Sequence, residues 1–315
     1  MMPYGVGPGT DPRARRTALR QALRADEALI LPGVSDALGT RLVETAGFPA
    51  AYATGAGIAN AQFGVADVGL TSLGDVATQA GRIIDATGLP VVVDADTGFG
   101  SALSVMRTTH LLETAGAAGI QLEDQTMPKR CGHFDGHALV ETEEMVAKVI
   151  AATRARSSSG DDGLILIART DARGVAGLDE AIRRGHAYLS AGADVLFIEA
   201  PQNEEELARI GAEFKGVPLV ANIVEGGKTP QLPAAELHAL GFTVVLYANF
   251  LMRAMAKAGL QALTHLRSAG DSRDYAEHLL AWSDRQALFA LPELDALDSE
   301  LAKQATGLDG GTGDA

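Results

Sequence analysis

Pro90-Val-Val-Val-Asp-Ala-Asp96, then Ser101 to Ala115, then Gly119-Ile-Gln-Leu-Glu-Asp124 read as a strand, a helix and a second strand in close succession. A short β-branched run ends in acids, and a longer stretch with helical apolar spacing follows. Gly116 then stands where a left-handed helix ending prefers glycine. The unit repeats along the chain. Strands are expected at Ala28 to Val34, Ala50 to Thr54, Pro90 to Asp96, Gly119 to Asp124, Leu164 to Asp171, Val195 to Ala200, Pro218 to Val224 and Thr243 to Tyr247. Helical stretches follow them, among them Ser101 to Ala115, Glu141 to Arg156, Leu178 to Ala191 and Glu204 to Phe214. Further glycine stops fall at Ala46-Gly47-Phe48 and Ala191-Gly192-Ala193. Eight strand–helix pairs without a composition break predict an α/β fold, one (β/α)8 barrel of TIM type, rather than two domains.

Outward from the barrel, expected over residues 21–270, the ends differ in character. Residues 1–20, beginning MMPYGVGPGTDPRARR, lack a long apolar core and read as a flexible arm, neither a secretory signal nor a membrane span. Residues 271–305 read as a C-terminal helical extension, with one helical stretch from Tyr275 to Phe289, then Pro292 and a last helix to about Gln304. Its Leu279, Leu280, Trp282 and Leu288 would cover either their own barrel or a neighbour's. Residues 306–315, TGLDGGTGDA, read as a disordered tail.

The 315 residues are 47% apolar, enough for a large core, and contain one cysteine. That excludes a disulfide framework and a multi-cysteine zinc site and points to a reducing, cytoplasmic compartment. A net charge of -14 and pI near 4.9 argue against nucleic acid and anionic membrane partners, leaving a small molecule as the expected partner. No dinucleotide fingerprint or Walker sequence opens a helix after a strand.

The polar residues inside the strand runs gather at carboxyl ends: Asp94, Asp96, Glu123, Asp124, Arg169, Asp171, Glu199, Asn222 and Glu225. That is the catalytic face of a barrel, although Asp124 and Asp171 would serve equally as helix N-caps. Asp94 and Asp96, two apart on one strand, should point to the same side. With Glu123 they offer a hard oxygen site of the kind Mg2+ takes, the alternative being a carboxyl pair sharing a proton. Mn2+ suits the same ligands. Thr54-Gly55-Ala56-Gly57 follows the second strand and offers backbone amides to a carboxylate. Lys129-Arg130-Cys131-Gly132-His133 sets the lone cysteine among cations, where a thiol is acidified and reactive, whereas a structural cysteine sits among apolar neighbours. Metal, cations and an ionisable thiol together point to chemistry on a 2-oxo or 2-hydroxy acid.

Five motifs, Asp94-Ala-Asp-Thr-Gly-Phe-Gly100, Glu123-Asp-Gln125, Lys129 to His133, Ala168-Arg-Thr-Asp-Ala172 and Asn222-Ile-Val-Glu-Gly-Gly227, lie in order on the expected strands. Together they resemble the isocitrate lyase/phosphoenolpyruvate mutase superfamily, from about Leu29 to Leu297. The resemblance implies Mg2+ near Asp67, Asp94, Asp96 and Glu123. It implies a 2-oxo acid bound at Tyr52, Thr54, Gly55, Ala56 and Asp94, with Lys129, Gly132, Arg169 and Asn222 also on the substrate. Catalytic roles fall to Cys131, Tyr52, His133, Arg169 and Glu199, with Cys131 on a mobile loop. The same resemblance implies a homotetramer, a dimer of dimers exchanging a C-terminal helix between paired subunits.

Within that superfamily the Lys-Arg-Cys-Gly-His loop resembles the carbon–carbon lyases. In those, Cys131 would protonate the carbanion left when a 2-hydroxy di- or tricarboxylic acid is split by retro-aldol cleavage to pyruvate or another 2-oxo acid. Methylisocitrate lyases read Asn-Ile-Thr-Glu-Phe-Gly where this chain has Val224 and Gly226, so a hydroxyl available to a third carboxylate is absent. The Val-Glu-Gly-Gly version with Lys228-Thr-Pro230, and the late Arg285-Gln286 with Leu-Pro-Glu293, resemble alkylmalate and dimethylmalate lyases and oxaloacetate hydrolases. Oxaloacetate hydrolysis or decarboxylation, and an oxo-acid binding protein without turnover, are the competing readings.

Overall fold

In the computed structural model the described residues are 11–129, 136, 138–158 and 160–309. Eight parallel strands, β1 (Leu29–Val34), β2 (Ala51–Ala53), β3 (Val91–Asp94), β4 (Gly119–Glu123), β5 (Ile165–Thr170), β6 (Val195–Ile198), β7 (Leu219–Asn222) and β8 (Val244–Tyr247), form a closed barrel in sequence order. The ring shuts where β8 pairs with β1, Leu29 opposite Val244 and Pro32 opposite Tyr247. Each expected strand is present, one to three residues shorter at its ends.

Strand alternation sorts the side chains. Leu29, Leu31, Tyr52, Val92, Ile165, Ile167, Phe197, Val220 and Val244 share one buried cluster inside the barrel. Leu19 of helix α1 (Pro12–Ala22) joins them. The opposite parity, including Ala51, Val91, Val93, Ile120, Leu122, Leu166, Leu196 and Ala221, packs outward with helix residues in two further clusters. Two-sided burial explains why the strands read as near-continuous apolar runs.

Helix α1 corrects the expected arm. Asp11 caps it by accepting from Arg13 N, Pro12 starts it, and Arg15 and Arg16 are buried. Arg16 forms an ion pair with Glu113 at 3.0 Å, and its Nε donates to the Ala117 carbonyl. Buried guanidiniums with such partners turn an arginine-rich stretch into a docked element.

Helices α2 (Ala37–Thr45), α3 (Gly55–Phe63), α4 (Leu73–Asp85), α5 (Ala102–Thr114), α6 (Thr142–Ala155), α7 (Ala172–Ala176), α8 (Leu178–Ser190), α9 (Glu204–Glu213) and α10 (Ala234–Ala239) follow their strands. The chain divides into two compact units, and the division after Ala256 falls inside α11 (Phe250–Ala269), not at 270. In the second unit the expected stretch from Tyr275 to Phe289 is interrupted. A 3-10 turn at Arg273–His278 gives way to extended backbone at Leu279, and α12 (Trp282–Leu288) begins anew. α13 (Leu291–Asp309) takes in Pro292 and runs past the residue where the tail was expected to begin.

Gly33 marks the tightest seam of the barrel. A Cβ there would stand 1.9 Å from the Ala248 carbonyl oxygen, so the first strand touches the backbone that leaves β8. Gly33→Ala should therefore destabilise the chain by about 1–3 kcal/mol through overpacking. Urea unfolding measures it, and a variant as stable as the parent would mean that the seam has slack.

Candidate active site

The inward side chains at the carboxyl ends of the strands converge on one cavity. Tyr52, Asp94, Glu123, Arg169, Glu199 and Asn222 line it from β2 to β7, with Thr54, Ala56, Asp67 and Lys129 from the adjoining loops. Asp94 ends β3 and accepts at Oδ2 from Gly55 N (3.2 Å) and at Oδ1 from Asp96 N (3.1 Å). Asp96 comes to the site differently from the expected strand alternation. It lies beyond the strand at φ 47, in the left-handed region, and is 3% exposed. A Cβ on Gly55 would stand 3.0 Å from Asp94 Oδ2 and 3.1 Å from Asp96 Oδ1, so glycine lets the turn press against both acids. The expected amide cradle is thus partly occupied by the protein itself: Gly55 N serves Asp94, and Gly57 N serves the Thr54 hydroxyl that caps α3.

Lys129, 4% exposed, forms ion pairs with Asp67 and, at 2.8 Å, with Asp96. Burial opposes its charge, yet Asp96, Glu123, Asp94 and Asp67 outweigh that and hold the ammonium above the ordinary lysine value. Burial pushes Asp96 up to about 6 against the pull of Lys129, and lifts Glu123 well above the carboxylate range against Arg169. Arg169 is the second cation of the cavity. Asp171 grips it bidentately (2.8 and 3.0 Å), Glu199 lies 3.2 Å from its Nη2, and its Nε is 3.6 Å from Glu123. Phe197 lies beneath the guanidinium, 5.1 Å from ring centroid to Cζ. Asn222 Nδ2 donates to Glu199 Oε2 at 3.2 Å. Burial, then Asp94, raise the Tyr52 phenol well above its usual value, so Tyr52 stays neutral and keeps its O–H as a hydrogen-bond donor.

The donor set fits Mg2+. Asp67, Asp94, Asp96 and Glu123 lie together at this end of the cavity, and the Glu123 Oε1 atom is buried with no hydrogen-bond partner. Among the described residues no three acidic or histidine side chains are grouped as a protein-only cage. Mg2+ takes one or two direct carboxylates and keeps waters, so it does not need such a cage.

Other sequence expectations sort cleanly. Asp171 occupies the N-cap position of α7, but makes no cap hydrogen bond; its carboxylate turns to Arg169. Glu225 is half-buried and pairs with Arg253 at 2.9 Å, away from the cavity lining. Arg130, Cys131, Gly132 and His133 lie outside the described residues. The sequence reading passed over the end of β8, where Leu246, Ala248 and Asn249 complete the wall beside Val224. Their position at a strand's carboxyl end was the available signal.

Comparison with known proteins agrees with this geometry. The family described as phosphoenolpyruvate phosphomutase matches residues 19–267. The chain belongs to that family. It is an enzyme of the isocitrate lyase/PEP mutase superfamily, on the lyase side. It is 40% identical to 2,3-dimethylmalate lyase of Eubacterium barkeri over 90% of this chain and 97% of that one. With 2-methylisocitrate lyase of Aeropyrum pernix it shares 38% over 91% of each. Among solved structures, oxaloacetate acetylhydrolase with 3,3-difluorooxalacetate superposes at TM-score 0.86 and 31% identity, covering 93% of this chain and 98% of that one. A 2,3-dimethylmalate lyase of the same superfamily gives 0.85 and 35%, covering 93% and 96%. Phosphonopyruvate hydrolase, solved with oxalate and Mg2+, gives 0.80 and 30%, covering 90% and 98%.

Removing the Lys129 ammonium should leave Asp67 and Asp96 facing each other uncompensated. Lys129→Met is expected to lower the stability of metal-free protein by about 3–5 kcal/mol, the usual cost of breaking a buried pair. Asp96 holds its proton more tightly folded than unfolded, so its contribution favours the fold at low pH and is lost as pH rises through about 6. The Lys129→Met penalty should accordingly be larger at pH 8 than at pH 5, read from urea titrations at both; equal penalties would refute the pairing.

Proposed function

We propose that the chain is a Mg2+-dependent carbon–carbon lyase that splits an alkylmalate-like 2-hydroxy acid, with 2-methylisocitrate as the rival substrate, into pyruvate or another 2-oxo acid and a carboxylic acid. The observation that carries the choice is the distal wall of the cavity. Val224, Leu246 and Ala248 present hydrocarbon there, and Asn249 is the polar exception among these four. An alkyl group is at home against such a wall, whereas a third carboxylate left without a donor costs on the order of 1–3 kcal/mol.

Asp67, Asp94, Asp96 and Glu123 would hold the cation, and Mn2+ would suit the same oxygens. When bound it would act as a Lewis acid toward the substrate's carboxylate and C2 oxygen. Arg169 and Asn222 orient the acid, and Tyr52 donates a hydrogen bond from its neutral phenol. Glu199, the cavity acid outside the cation set, takes the C2 hydroxyl proton as the C2–C3 bond breaks. The electron pair of that bond stays on C3, and Cys131 delivers the thiol proton there, with His133 and Lys129 nearby in sequence to restore it. The cytoplasm is the compartment that suits a free, reactive thiol.

Assays of Mg2+-dependent 2-oxo acid release from 2,3-dimethylmalate, a 2-alkylmalate, 2-methylisocitrate and oxaloacetate test this reading. Cys131→Ser should fold and lose most lyase turnover, by about 100-fold or more for removal of a positioned proton donor. Val224→Thr should move preference toward the tricarboxylate; unchanged relative rates would remove that position from substrate choice. Oxaloacetate hydrolysis is the second reading, favoured by the likeness to oxaloacetate acetylhydrolase. Oxaloacetate loss that persists in Cys131→Ser would establish it, and binding of pyruvate without turnover of any acid would leave a binding protein.

A homotetramer of helix-exchanged dimers belongs to the same proposal. A groove lined by Ile30, Pro32, Leu42, Phe48, Tyr247 and Phe250 is apolar, and no residue of α11 is buried. The exposed Leu260, Leu263 and Trp282 of a second copy suit that groove. Sedimentation equilibrium should give a tetramer and Ile30→Asp a smaller species; a monomeric parent would rule the exchange out.

A further inference from the structure

The wall of the barrel has a second buried charge cluster on its helix-facing side, directly behind Arg169. Asp124 follows Glu123 and therefore has the opposite parity. Glu123 points into the cavity, while Asp124 points outward toward α8 and is fully buried. Its carboxylate accepts four hydrogen bonds. Tyr188 Oη (2.8 Å), Arg184 Nη1 (3.1 Å) and Thr170 Oγ1 (2.7 Å) donate to Oδ2, and the backbone N–H of Asp171 donates to Oδ1 (2.9 Å). Arg184 and Tyr188, one turn apart on α8, are 6% and 0% exposed. Arg184 is held in turn by Glu180 at 2.8 Å and donates to the Val140 carbonyl at 2.9 Å.

None of Asp124, Arg184 and Tyr188 lines the cavity, so the cluster touches no substrate. Stability alone does not require it, because a buried ion pair is often replaced by apolar side chains at no loss. What it does touch is the backbone that carries the Arg169 clamp. Asp124 fixes the N–H of Asp171 and the hydroxyl of Thr170, and Asp171 is the bidentate partner of Arg169. A bidentate clamp transmits orientation as well as distance, since both guanidinium nitrogens must be met at once. A misplacement of about 1 Å in a positioning group costs as much as 100-fold in rate.

We propose that Arg184 and Tyr188 are positioning residues for Arg169, acting through Asp124 and the Asp171 backbone across the wall of the barrel. They hold the donors of α8 on one carboxylate, and that carboxylate holds the strand end whose inward side chain grips the guanidinium. The inference rests on the lyase reading only for its kinetic measurement.

Tyr188→Phe removes one O–H from Asp124 and keeps the ring in its place. The expected result is a cooperative fold, kcat lowered by about 10-fold, and KM changed by less than about 2-fold. Hydrogen exchange followed by mass spectrometry should be faster in the peptide spanning residues 168–172 and unchanged across β8. Parental kcat with parental exchange at residues 168–172, or exchange raised equally around the barrel, would overturn the proposal in favour of a structural role. Arg184→Lys keeps the charge and one donor; it carries the same two measurements should Tyr188→Phe not fold, and should give the smaller loss if both fold. If the parent enzyme turns over none of the acids offered, the lyase reading fails and the exchange comparison decides the positioning role alone.

Discussion

Six carboxylates are buried around the carboxyl ends of the barrel strands, Asp94, Asp96, Glu123, Asp124, Asp171 and Glu199, and three cations answer them: Lys129 and Arg184 are buried, and the Arg169 side chain keeps 11% of its surface exposed. Ionised carboxylates are not tolerated in a protein interior unless paired, so the imbalance governs everything near it. Arg169 is shared among Asp171, Glu199 and Glu123, Lys129 among Asp67 and Asp96, and Arg184 between Asp124 and Glu180. Burial raises the proton affinity of Asp96, Glu123 and Asp171, against the pull of Lys129 on the first and Arg169 on the other two, and neighbouring acids add to the rise. A divalent cation would favour the ionised form of the acids it touches.

Much of this was written in the sequence because parallel strands carry their function at one end. Apolar runs such as Val91 to Val93 leave no doubt about burial, and an acid at the close of such a run has few other uses. The order of the eight strands followed from the repeat alone. The inward acids Asp94 and Glu123 were legible for the same reason.

What escaped the sequence is instructive in physical terms. The left-handed turn that brings Asp96 beside Asp94 depends on backbone conformation, which residue type does not fix at an aspartate. The ambiguity at Asp124 and Asp171 between cap and site was resolved by partners distant in sequence for one, Arg184 and Tyr188, and for the other by a side-chain rotamer that turns Asp171 to Arg169, two residues back in the chain. Helix α1 was hidden because arginines usually mark exposed surface, and only the carbonyls and acids they meet make them buried. The end of β8 was missed because Ala248 and Asn249 carry no charge to draw the eye.

The contact of Gly33 with the Ala248 carbonyl joins the first strand to the backbone leaving the last. During synthesis β1 finds β2 soon, but its other edge must wait for the whole of the barrel sequence before β8 exists, a pairing of the most non-local kind. Leu246, Ala248 and Asn249, which finish the cavity wall, arrive at the same moment as that partner. A nascent or truncated chain therefore carries the acids and cations without an enclosed chamber to use them in. Ring closure and completion of the cavity wall are one event, because the same short run of chain supplies both.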